Sequence, residues 1–395
     1  MSEPEATTGG QATLRVAPLL GLISAQAAQA DRTRSLDPSL IAAIKASEVM
    51  RLSAAAEIGG LAGGIAEIGA ELEAVAGACA STAWCLWNHL ATFHAFCGLL
   101  GPANADLLAT VVREKRWVCL PAGAGTAVRG RIEDEAVRLT GLAAFGTGAR
   151  YADDIGVSFV FEGERTVRFA QIEARQSGVA IDADWEAMSL RASATDHLRY
   201  EGAQTPLARV VPFPPRFREH LRDPDFPVVS GRYREDWVAL SDLWLGWMTA
   251  GLAQAALDET CAGIQERRAI LGTRMVERPT IHVNLGQAGA LIAAARSVAR
   301  DASARTDARI AAAAIPTETD YLDQMAAGMS AARLCDEAMR LILRVLGGNG
   351  LREGPAFERR YRDLQAMPLH INAHPDRVAE QYGRNLLGLP TENPF

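Results

Sequence analysis

The 395-residue chain is 49% hydrophobic and 22% charged, the composition of an ordinary globular protein long enough for more than one packed unit. Its net charge of −7 gives no basic footprint for nucleic acid, and no apolar run reaches bilayer-spanning length. Six cysteines (Cys79, Cys85, Cys97, Cys119, Cys261, Cys335) lack any CxxC pair or metal-ligand spacing, so reduced thiols, a cytoplasmic setting and no metal centre are expected.

Residues 1–12 are polar and small, unlike a signal peptide, and read as a flexible start. Asp37 and Pro38 then open a helix as cap and first-turn residue. Gly59, Gly60, Gly63 and Gly64 form a turn between helices rather than a phosphate cradle, because no strand precedes them and no Gly-Lys-Ser/Thr follows. Apolar spacing predicts helices over 65–78, 80–100 and 106–115, the second rich in Trp84, Trp87, Phe93 and Phe96. The period then changes. Short β-prone runs at 116–120, 136–140, 156–161, 167–172, 178–181 and 197–200 recur at the spacing of a small sandwich or barrel. A Pro-rich stretch, 206–227, reads as a linker.

From about residue 233 the chain is helical again. Trp237, Leu240, Trp244, Trp247, Met248, Gly251 and Leu252 share a face, and further helices are predicted over 280–300 or beyond and 318–346. Gly347 ends the last of these. A dense run of Arg359, Arg360, Arg362 and Asp363 follows, suited to holding chain ends or a neighbouring subunit. A Pro-Leu-His step at His370 then precedes a final helix over 375–387, which completes a four-helix bundle. The expected architecture is α+β: an N-terminal helical domain (1–115), a central β domain (116–212) and a C-terminal four-helix bundle domain (213–395).

This order resembles the acyl-CoA dehydrogenase superfamily, and matching stretches lie in register from about residue 30 to the end. Leu139-Thr-Gly-Leu-Ala-Ala-Phe-Gly-Thr-Gly148 with Ala152-Asp153 is similar to the strand and turn that pack on flavin in that superfamily. Trp185 to Asp196 resembles its Gly-Leu/Met-Arg-Gly-Thr-Gly-Ser strand entry, without the glycines after Arg191. Gly347-Gly-Asn-Gly350 and Arg359-Arg-Tyr-Arg-Asp363 resemble its bundle turn and Arg-Asp segment. The resemblance departs where the dehydrogenases place Tyr-Glu-Gly-Thr. This chain has His370-Ile371-Asn372-Ala373, and Ile371 cannot act as a base.

That departure, with Ala80-Ser-Thr-Ala-Trp84 and Leu120-Pro-Ala-Gly-Ala-Gly125, resembles the oxygenase components of two-component flavin monooxygenases. The resemblance implies reduced flavin, FMN or FAD undecided, that reacts with O2 to a C4a-hydroperoxide and oxygenates a small apolar, aromatic substrate. It also implies a separate flavin reductase and a homotetramer. It places Thr147 as a catalytic hydroxyl near flavin N5, with Phe145, Gly146, Gly148 and Ser193 as further flavin contacts. Arg268 or Arg274 would hold the flavin phosphates from a neighbouring subunit, although Leu271 replaces the usual aromatic. His370 would donate a hydrogen bond or accept a substrate proton, since histidine titrates near neutrality. Trp84, Ile371 and either His89 or His94 would line the substrate pocket. Two alternatives remain: a dehydrogenase with its base on an earlier bundle helix, or a flavin-free scaffold of the same fold.

Overall fold

A computed structural model describes residues 14–121, 127–214, 216–269 and 272–391 of the chain. The 1–12 start and positions 122–125 of the Leu120–Gly125 stretch therefore lie outside the described residues. Five helices come first: α1 (Ala17–Thr33), α2 (Pro38–Ala46), α3 (Ile65–Ala78), α4 (Ala80–Leu100) and α5 (Ala105–Arg113). Asp37 caps α2 by accepting the Ser39 N–H at 2.8 Å. α1 was not anticipated, because its buried side is only Ile23, Ala27 and Ala30, a stripe too slight to stand out. α4 is the central pillar, buried along its length except at Asn88, so its face toward the site cannot be separated from core by hydropathy.

The sheet comprises β1 (Val118–Cys119), β2 (Val128–Glu133), β3 (Ala136–Gly146), β4 (Asp154–Phe161), β5 (Val167–Glu173), β6 (Val179–Asp182), β7 (Asp196–Pro206) and β8 (Val211–Pro212). Its order is β6-β7-β3-β2-β4-β5-β8, with β1 parallel to β4 and β2 also parallel to β4. β2 escapes sequence reading because Arg129, Arg131 and Glu133 face solvent between few apolar residues. One register matters for function: β3 and β7 are antiparallel, and Gly146 at the end of β3 lies opposite Asp196 at the start of β7.

The expected linker over 206–227 is packed structure. It contains β8 and α6 (Phe217–Leu221), and Arg218 of α6 is 2% exposed while paired with Asp236 and Glu318 at 3.0 Å each. The Arg218 charge is neutralised inside the fold rather than solvated, which composition alone does not reveal.

The C-terminal half holds α7 (Trp237–Ile264), α8 (Pro279–Ala311), α9 (Glu318–Leu346), α10 (Ala356–Ala366) and α11 (Pro375–Leu386). α7, α8 and α9 pack on one another, α11 lies on α9, and α10 and α3 lie on α7. α9 ends at Gly347, whose φ of 58° suits glycine. The Arg-Asp run is helical, as α10, with Phe357 and Leu364 turned inward. No single described helix is long and apolar enough to cross a membrane.

One core group has no compensation by hydrogen bonding. Asp242 on α7 is 1% exposed, and neither carboxylate oxygen has a hydrogen-bond partner among the described residues. Burial holds its pKa well above the carboxylate range, with Arg377 opposing. Above the unfolded-state pKa the native chain therefore retains a proton that the unfolded chain releases, and stability falls as pH rises. Asp242→Asn should stabilise the protein by about 1–3 kcal/mol at alkaline pH. The gain should shrink toward about pH 4, where the unfolded carboxyl is itself protonated. Thermal melting across pH measures this; a pH-independent difference would contradict it.

Candidate active site

The β3–β7 register builds one wall. Because Gly146 and Asp196 are opposed, Thr147 just beyond β3 and Thr195 just before β7 emerge side by side, with their hydroxyls 3.1 Å apart. Ser193 Oγ lies 2.7 Å from Thr195 Oγ1, and Trp84 Nε1 on α4 donates to Thr147 Oγ1 at 3.3 Å. All four residues are buried. The turn carrying them is locked to α4 and to the sheet: Gly148 N–H donates to Ser193 O at 2.9 Å, Cys85 Sγ to the same oxygen at 3.3 Å, and Ala192 N–H to Ser81 Oγ at 3.3 Å. Arg150 closes the corner through a 2.6 Å ion pair with fully buried Asp196.

His370 reaches the same indole from a different element. It follows α10 through a single 3-10 turn (Met367–Leu369), and its ring stands edge-on to Trp84 at 5.6 Å and Trp87 at 5.0 Å between centroids. Asn372 N–H donates to His370 Nδ1 at 3.3 Å, which assigns the hydrogen of the neutral imidazole to Nε2. Trp87 Nε1 in turn donates to Ser241 O at 3.0 Å, and Asn372 Nδ2 to Ser241 Oγ at 3.5 Å. Burial lowers the His370 pKa to about 4, with the Arg377 guanidinium adding to the effect. These surroundings disfavour the imidazolium, so the ring is expected to titrate below the near-neutral range that the sequence suggests.

Of the residues singled out by sequence, Trp84, Thr147, Ser193 and His370 come together in one network with Trp87. Gly146 and Gly148 serve the backbone; a side chain at Gly146 would strike Leu198, and one at Gly148 would meet Trp117 Nε1, a buried donor without a hydrogen-bond partner among the described residues. Phe145 instead stands 57% exposed at φ 59°, beside Trp185 and His197, and Ile371 is 54% exposed next to His370. Both histidines of α4 are held elsewhere, His89 through both ring nitrogens and His94 through Nε2 alone. His89 accepts the Val118 N–H at Nδ1 (3.1 Å) and reaches Met50 O through Nε2 (3.1 Å), while His94 reaches Glu235 O (2.9 Å) and packs on Tyr233. Burial lowers their pKa values to about 4 and about 3. Phe93 and Phe96 belong to a separate core cluster with Phe217 and Tyr233.

Arg268 and Arg274 pair in an antiparallel bridge after α7, both exposed, with Arg268 bonded to Gly272 O and Arg274 paired with Glu277, while Leu271 lies outside the described residues. Thr195 and Ser241 were not singled out as site residues. The motif around Arg191 carried the signal for Thr195, whereas Ser241 has none, being one small residue on a buried helix.

The donor set suits the ring end of a flavin. Three hydroxyls that can donate or accept, flanked by an indole N–H and a donor imidazole, match an edge of alternating carbonyls and ring nitrogens. The set is uncharged, and no group of three or more metal-ligating side chains occurs among the described residues.

Comparison with known proteins agrees. Residues 243–375 match the family model "Acyl-CoA dehydrogenase, C-terminal domain". The chain is 26% identical to the oxygenase component of an FADH2-dependent resorcinol hydroxylase from Rhizobium sp. (strain MTP-10005), covering 96% of this chain and 95% of that protein. XiaF from Streptomyces sp., solved with FADH2 and glycerol, superposes with a TM-score of 0.86 at 20% identity over 96% of both chains. FMN-bound TdsC, from Paenibacillus sp. A11-2, superposes at 0.83 with 19% identity over 96% of this chain and 97% of that one. The fold is therefore that of the acyl-CoA dehydrogenase-like monooxygenases, and the likeness to oxygenase components extends over nearly the whole sequence.

The His370 environment makes a direct prediction. In histidine-labelled protein its ring resonances should report a neutral imidazole from alkaline pH down to about 4. Arg377→Gln should move the midpoint upward, because removing a nearby positive charge favours the imidazolium. A midpoint near the unperturbed histidine value would contradict the half-buried placement beside Arg377.

Proposed function

We propose that this protein is the oxygenase component of a two-component flavin-dependent monooxygenase that hydroxylates a small aromatic, phenol-like molecule. The observation that carries the reading is the imidazole of His370 packed on two indoles, one of which donates to a buried hydroxyl cluster. The resorcinol hydroxylase component supports the substrate class and the use of reduced flavin, and XiaF and TdsC, solved with FADH2 and FMN, leave the choice of flavin open.

When bound, reduced flavin supplies the two electrons with which O2 is split between a hydroxylated product and water. The chain's own residues do the rest. Thr147, Thr195 and Ser193 hold the polar edge of the ring, and Trp84 and Trp87 form a dry aromatic wall. His370 keeps its proton on Nε2 and offers it as a hydrogen bond to an oxygen atom at the site, while the Asn372 amide fixes its orientation.

Dehydrogenation of an acyl-CoA is less well supported. Among the described residues Ser241 of α7 bonds Asn372 of the His370 loop, and the position of the usual glutamate is Ile371. A reductase partner follows from the oxygenase reading. A homotetramer is supported by the exposed Arg268–Arg274 hairpin and by exposed Leu386, Leu387 and Leu389 after α11. A cytoplasmic location is supported by six free cysteines, five of them buried.

His370→Ala should lower product formation by about 10²–10⁴-fold. Reduced-flavin affinity should stay within a few-fold of wild type, with electrons diverted to hydrogen peroxide. Purified protein supplied with reduced FMN or FADH2, oxygen and a panel of phenols provides the assay. Undiminished hydroxylation, or bleaching of a tightly held oxidised flavin by an acyl-CoA, would contradict the reading.

A further inference from the structure

The Arg-Asp run, suited by sequence to chain ends or a neighbouring subunit, also reaches the turn that carries Ser193 and Thr195. Asp363 on α10 is 2% exposed and accepts the Leu190 N–H at 2.6 Å. Arg362 beside it donates to Met188 O and pairs with Glu358 and, at 3.1 Å, with Asp31 of α1. α10 thus grips the backbone at 188 and 190. Burial raises the Asp363 pKa to about 6, with the Leu190 N–H, Arg362 and Arg359 opposing and Asp31 adding to the rise.

The gripped segment is strained. Leu190 has φ 48° and Ala194 φ 47°, left-handed values that cost an L-residue roughly 1–2 kcal/mol each. Between them Ser193 N–H donates to Leu190 O at 3.0 Å, and Trp185 Nε1 donates to the same oxygen at 3.0 Å. This turn delivers the Ser193 and Thr195 hydroxyls to Thr147. Such conformations without glycine persist only where the surroundings impose them. The same helix continues through Met367–Leu369 to His370, so one element bears on both this turn and the imidazole.

We propose that Asp363 is a positioning residue: with Arg362 it clamps Met188–Leu190, holding the turn of Ser193 and Thr195 in its left-handed form and in register with His370. That this turn serves a flavin rests on the function proposed above; that Asp363 imposes its conformation does not. Ala194→Gly separates imposed strain from simple packing, because glycine adopts the left-handed form without help.

Backbone amide exchange over residues 188–196 of ligand-free protein reads the conformation, and anaerobic titration with reduced FMN and FADH2 reads its consequence. Asp363→Ala should speed exchange in this segment by about tenfold, equivalent to about 1.4 kcal/mol of local opening, while β4 and β5 keep their protection. Reduced-flavin binding should weaken by a similar factor. Asp363→Asn, which keeps an oxygen acceptor, should stay within about threefold of wild type, and Ala194→Gly in the Asp363→Ala background should recover most of both losses. Exchange unchanged by Asp363→Ala, or raised equally across the protein with no recovery by Ala194→Gly, overturns the proposal. Should Asp363→Ala not fold, Asp363→Asn with and without Ala194→Gly decides by the same exchange criterion, and no increase in the segment overturns it. Wild-type protein that binds neither reduced flavin would sink the function proposed above and leave the exchange result to decide this one.

Discussion

The candidate site depends on the pairing of Gly146 with Asp196. Strand register has a period of two, so a slip of one residue would turn the Thr147–Thr195 face away from α4 and separate their hydroxyls. The structure guards that register heavily. Arg150 grips buried Asp196, Gly148 and Ala149 donate to Ser193 O and Ala194 O, and α4 contributes Ser81 and Cys85 to the same turn. The hydroxyl cluster is therefore a consequence of sheet geometry fixed from three sides.

Against this fixed wall the imidazole arrives on a different element. His370 hangs from α10 and is held by the amide of Asn372, by the edges of Trp84 and Trp87, and by Arg377, whose Nη1 donates to Ile371 O at 2.7 Å. Enclosure beside the indoles disfavours the imidazolium, and a neutral ring keeps one N–H to donate. A carboxylate in the same surroundings would face a larger desolvation cost and would be pushed toward its protonated form. The exchange of glutamate for a His-Ile step thus alters both the charge and the hydrogen-bonding sense of this corner.

Much of this was legible in the sequence. The Phe-Gly-Thr-Gly turn, the strand entry around Arg191 and the bundle helices announce themselves through glycine placement and apolar period, and their order identifies the α–β–α layout. What stayed hidden follows from buried surroundings that periodicity cannot resolve. On a helix buried almost all round, His89, His94, Trp84 and Trp87 look alike; only tertiary packing shows that the indoles face His370 while the histidines bind backbone at Met50, Val118 and Glu235. The Arg-Asp run looks like a solvated charge face, yet Asp363 is buried because a backbone amide from a distant loop meets it. β2 and α1 escaped because one presents mostly charged side chains and the other buries mostly alanine.

The proposed function requires this site to direct oxygen onto an aromatic substrate rather than to remove hydride or a proton. Isotope transfer tests it most directly. Protein given reduced flavin, a phenolic substrate and ¹⁸O2 should yield product carrying one labelled oxygen atom, with the second recovered in water. Unlabelled product, or reduced flavin consumed only to peroxide with every phenol offered, would contradict the account.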